Sequence, residues 1–137
     1  MKDSIRSTLF LTAIAATTAV AQSAKPAAGD NSSLTSDWRG TSICVVRESA
    51  CHDEKALYHV KKLGDQPNRF SLQADKIVDE KPVTMGTTEC NYQPEGHALT
   101  CELPKSVLHL TWQGSTLEGT MNLTDGTLWR NINLKHD

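Results

Sequence analysis

Four cysteines, five histidines and sixteen carboxylates are the side chains here with chemistry to offer. Cys44, Cys51, Cys90 and Cys101 could hold zinc, supply a thiolate or pair with one another. A zinc site draws its ligands from tight Cys and His clusters. This chain has no CxxC, and His52 beside Cys51 is its one close Cys/His neighbour. Pairing is therefore expected, and spacing selects the partners. Cys90 and Cys101 flank the turn-rich Gln93-Pro94-Glu95-Gly96, and a hairpin centred between Glu95 and Gly96 sets them opposite one another. Cys44 and Cys51 bracket Arg47-Glu48-Ser49-Ala50 in the same way. Each short closure should contribute roughly 2–3 kcal/mol, and paired sulfurs have no thiolate chemistry left.

The other reactive groups lack the arrangements that catalysis needs. His52, His59, His97, His109 and His136 form no HxH or HExxH spacing, and no GxSxG or SxxK places a serine for attack. His97 falls in an expected turn and His136 in the tail. The parity of their neighbours turns His59 and His109 outward from their strands. Asp53-Glu54 and Asp79-Glu80 are adjacent acids in expected turns, where such side chains point into solvent rather than across a glycosidic bond. The reading is of a non-enzyme, with no catalytic residue, no metal and no cofactor.

The elements that position these residues read as β throughout. From Trp38 on, no apolar stripe of helical period occurs, while short alternating runs recur between turn signals. The runs are Trp38 to Val46, Lys55 to Leu63, Arg69 to Val78, Pro82 to Tyr92, Ala98 to Leu103, Val107 to Trp112, Thr116 to Asn122 and Leu128 to Leu134. Gly86 marks an expected bend or bulge, and Asp125-Gly126 a hairpin turn. Eight strands with short connections predict an all-β, eight-stranded antiparallel up-and-down barrel, which closes its own edges; a two-sheet sandwich is the alternative. Leu128, Arg130, Ile132 and Leu134 share the inward face, so Trp129 points out and the Arg130 guanidinium needs a carboxylate, a carbonyl or an aromatic face inside the barrel.

Lys2 and Arg6 precede the apolar run Leu9 to Ala16, and Ala19-Val20-Ala21 offers a cleavage site, so residues 1–21 read as a secretory signal. The run is too short for a bilayer span. Residues 22–37 carry one large apolar side chain, Leu34, and read as a flexible leader; a single domain follows over 38–137. Export, to the periplasm or beyond the cell, fits an even cysteine count. The chain's net charge is −2, and loss of Lys2, Arg6 and Asp3 with the signal makes it −3. Such a balance argues against a nucleic-acid partner, and no later segment is suited to membrane insertion.

Trp38 in the first strand, Trp129-Arg130 in the last and the run Trp112 to Thr120 resemble the calycins, the lipocalin, fatty-acid-binding and avidin-like barrels. Trp38 to Cys44, Ala74 to Val78 and Trp112 to Thr120 are also similar to a group of small exported bacterial proteins. The resemblance implies a barrel closed at one end by Trp38 against Arg130. Non-catalytic binding of a small, partly apolar ligand is the expected role, with Trp38, Tyr58, Phe70 and Trp112 as candidate lining, though for Phe70 and Trp112 core packing is the stronger reading. Arg130 and the four cysteines are the expected structural residues. The alternative is a protein-binding or inhibitor module using the Cys44–Cys51 loop or the Trp129 face.

Overall fold

The alternation resolves, in a computed structural model describing residues 32–137, into eight strands. They are β1 (Asp37–Cys44), β2 (Glu54–Lys62), β3 (Arg69–Val78), β4 (Lys81–Gln93), β5 (Ala98–Glu102), β6 (Ser106–Trp112), β7 (Thr116–Leu123) and β8 (Leu128–His136). Each pairs antiparallel with the next, and β8 returns to β1, closing the barrel. The signal assigned to residues 1–21, and the leader as far as residue 31, lie outside the described residues.

Turn chemistry sets the register. Asp79 and Glu80 both take positive φ, 50° and 64°, the backbone of the two-residue turn whose twist matches its flanking strands. Between β4 and β5, Cys90 stands opposite Cys101 and Gln93 opposite Ala98, which centres the hairpin between Glu95 and Gly96. Both local disulfides, Cys44–Cys51 and Cys90–Cys101, are formed. The bulge expected near Gly86 is present. Ala74 faces Gly86 and Asp75 faces Thr84, leaving Met85 as the extra residue.

Inward residues divide the barrel into two halves. One end is packed solid by Trp38, Val60, Phe70, Leu99, Leu110, Leu117 and Leu134, all buried. A 3-10 turn at Ser32–Leu34 caps this end. Leu34 is fully buried, its carbonyl accepts the Trp38 indole N–H at 3.1 Å, and the Ser36 carbonyl accepts the Val60 N–H at 3.0 Å. Residues 32–37 of the leader expected over 22–37 are therefore held against the barrel. One leucine suffices to fix this stretch because the barrel end offers it a ready apolar seat, which reading the segment in isolation could not reveal.

The Trp38–Arg130 contact does not form. Across β1 and β8, Trp38 faces His136 while Arg130 faces Cys44, six residues further along. At about 3.4 Å per residue that is roughly 20 Å. Both side chains do point inward, but antiparallel pairing sets the start of β1 beside the end of β8, and Arg130 lies near the start of β8. The Trp38 ring meets the His136 ring edge-on at 5.2 Å instead, and Ser36 Oγ shares a 2.8 Å hydrogen bond with His136 Nε2. His136 is thus docked rather than part of a loose tail.

Candidate functional site

The other end of the barrel is hollow. Large side chains fill the Trp38 end, whereas Ser42, Ala74, Gly86 and Thr88 leave a cavity of about 390 Å³ towards the opposite mouth. That volume lies within the range of small-molecule sites. Its walls differ in character. Leu72, Ala74, Met85, Leu103, Leu108 and Met121, from β3 round to β7, make an apolar wall. Ser42 on β1, Glu54 and Tyr58 on β2 and Arg130 on β8 make a polar one, contributed by three adjacent strands.

The strand register explains the polar cluster. Arg130 sits beside the end of β1, so its Nη1 donates to the Ser42 carbonyl at 3.3 Å, Ser42 Oγ at 3.2 Å and the His52 carbonyl at 3.0 Å. Nη2 lies 3.5 Å from Glu54 Oε1, with the two side chains only 12% and 18% exposed. Burial pushes the Tyr58 phenol up to about 12; the Arg130 charge and a hydrogen bond with Ser42 oppose this, and the Glu54 charge adds to it. The phenol thus stays neutral at physiological pH.

The cavity reaches the surface where β4 outruns β5. β4 pairs with β3 from Lys81 onward but with β5 only from Cys90. Residues 81–87 are exposed, and the cavity lining passes from Met85–Thr88 directly to Leu103 and Pro104. Val78, Val83 and Met85, three of the large apolar side chains most open to solvent, lie on this β3–β4 arm.

Of the four candidate lining residues, Tyr58 alone borders the cavity. Trp38 and Phe70 are fully buried at the packed end. Trp112 caps that same end, its indole N–H donating to the Gly114 carbonyl at 3.1 Å and its ring edge-on to Tyr92 and His97. These three are correctly inward in parity, but height along the barrel decides between core and cavity. Arg130, expected as a strut for Trp38, belongs to the cavity. Glu54, expected with Asp53 in a turn with its carboxylate in solvent, instead opens β2 and lies 3.5 Å from Arg130 with its side chain only 18% exposed. Type and spacing do not single out Ser42 or Met121, which the registers of β1–β8 and β7–β8 bring beside Arg130.

A second cluster sits on the outer wall. His59 Nδ1 is 2.6 Å from Asp37 Oδ1 and its Nε2 is 3.1 Å from Asp75 Oδ2. Gln73 Nε2 donates to Asp75 Oδ1 at 3.1 Å and to Thr84 Oγ1 at 3.3 Å. The hydrogen bond to Asp37 leads in holding the His59 imidazole above its usual range, with burial opposing it. Burial pushes the Asp75 carboxyl up, yet hydrogen bonds from Gln73, Thr84 and His59 together outweigh it and hold it below the ordinary value. No group of three or more His, Cys, Asp or Glu among the described residues is set to hold a metal.

No family model matches the chain, and no curated protein matches it. Among solved structures it is similar to a redesigned β-barrel, at 16% identity and a TM-score of 0.54 over 77% of this chain and 93% of that one. At that identity the likeness concerns the fold. Function is a separate matter, because one barrel architecture hosts many activities.

Proposed function

We propose that the chain is an exported, non-catalytic binding protein that holds a small, partly apolar molecule in the cavity lined by Arg130, Glu54 and Leu108. The observation that carries this is the two-sided wall. A filled barrel has no use for an Arg–Glu pair on the wall of a cavity whose remaining lining is largely apolar, whereas an amphipathic ligand would satisfy both kinds of wall. The two disulfides support export, since such bonds persist in oxidising compartments. A calycin relationship rests on the barrel and on the Trp112–Thr120 run, and no longer on a Trp38–Arg130 contact.

Protein binding is the second reading. It draws on the Val45 N–H, which donates to the Trp129 carbonyl at 3.0 Å and sets the Cys44–Cys51 loop beside the Trp129 segment, with Val45 itself exposed. Native mass spectrometry of the protein taken from its own host separates the two. A bound small mass that disappears in Ala74→Trp, which fills the cavity, supports the first reading. A bound protein supports the second, and a bare chain counts against both.

A further inference from the structure

We infer that the ligand's head group is electrically neutral and both donates and accepts hydrogen bonds, as a primary amide or a hydroxyl on an apolar chain does, and is not a carboxylate. This rests on the ligand-binding reading above and narrows it to a chemical class. Three acceptors hold Nη1 of Arg130, so the guanidinium is clamped in place and cannot swing out to meet an anion in solvent. Nη2 has Glu54 Oε1 at 3.5 Å, an ion-pair distance too long for a good hydrogen bond. The carboxylate and the guanidinium therefore keep unused hydrogen-bonding capacity towards the cavity, one as acceptor and one as donor.

The charges decide which head fits. Arg130 and Glu54 cancel, and the Tyr58 phenol and Ser42 hydroxyl beside them are neutral. An incoming carboxylate would gain Nη2 but lie against the Glu54 carboxylate, and both would be largely withdrawn from water. An ammonium would meet the same conflict with Arg130. A primary amide meets neither: its carbonyl accepts from Nη2 while its N–H donates to Glu54, and a hydroxyl can do both with one atom. The attached chain then crosses the cavity to Leu103 and Leu108, on the side of the ring opposite β1 and β2.

The test is a displacement titration of the purified chain at pH 7.5 with decanamide, decanol, decanoate and decylamine against one fluorescent apolar probe. Decanamide and decanol are expected to bind about tenfold more tightly than either charged ligand, the cost of one uncompensated like-charge contact. Glu54→Gln keeps the shape, removes the negative charge and should bring decanoate up by a similar factor. Tightest binding of decanoate to the unaltered protein overturns the inference while leaving the ligand-binding reading standing. An unchanged decanamide-to-decanoate ratio in a folded Glu54→Gln protein also overturns it. Should that variant not fold, the ranking on the unaltered protein decides. Failure of all four ligands to bind overturns both the reading and the inference.

Discussion

His59 bridges two carboxylates that lie far from it in sequence, and only its charged form can donate to both. Its folded pKa is raised, so its stabilising effect is complete below the unfolded value near 6.5 and is lost as pH rises through the folded one. Asp75 has the opposite sign. Its folded pKa is depressed, so its contribution is present above the unfolded value and is lost as pH falls through the folded one. The two windows overlap in weakly acidic solution. Urea midpoints should therefore be highest between about pH 5 and 6.5, and His59→Gln should flatten the alkaline side of that profile. The expected difference is about 1 kcal/mol or less, since Asp37 is half exposed. A profile that stays unaltered in His59→Gln would remove the pair from the stability account. The sequence shows His59 facing outward, but not Asp37 or Asp75, which reach it through the registers of β1–β2 and β2–β3.

At the scale of elements, turns and close strand contacts carry the sharpest expectations. Asp79 and Glu80 hold left-handed backbone that glycine and asparagine adopt more readily. Replacing the pair by Asn-Gly should stabilise the barrel by about 0.5–1.5 kcal/mol, measured as a rise in the denaturant midpoint at constant slope. Gly119 presents the reverse case. A Cβ there would sit 1.8 Å from the His109 carbonyl oxygen on β6, a clash with backbone that no rotamer relieves. Gly119→Ala should cost about 2–4 kcal/mol in the same measurement. A neutral result would mean that β6 and β7 can separate there at little cost. Alternation and turn residues make these elements legible beforehand, with the strand boundaries differing by at most about two residues. The close approach at Gly119 is not legible, because it depends on how tightly the barrel coils.

At the scale of the molecule, the barrel is a packed half joined to a hollow half. Trp38 anchors the first and Arg130 lines the second. Trp38→Leu should cost about 2–4 kcal/mol through lost packing, and Arg130→Met about 1–3 kcal/mol through its lost hydrogen bonds. Since the two sites share no partner, the double variant should equal the sum within about 0.5 kcal/mol. A larger coupling in a denaturation cycle would place them in contact after all. Arg130→Met should also change ligand affinity, while Trp38→Leu, at the far end, should leave it alone wherever the protein remains folded.

The sequence alone determined the number of strands, their faces, the turn at Asp79-Glu80 and the pairing of all four cysteines. Each follows from local rules: a period of two along the chain, backbone preferences at turns, and the short reach between neighbouring cysteines. Only the tertiary structure decided how high along the barrel each inward residue stands. That height separates Trp38, Phe70 and Trp112 in the packed end from Tyr58 at the cavity, and it moves Arg130 from Trp38 to Glu54 and Ser42. Parity repeats every two residues and so cannot distinguish one end of a strand from the other. The position along the barrel comes from the stagger between strands, which the whole closed ring fixes at once.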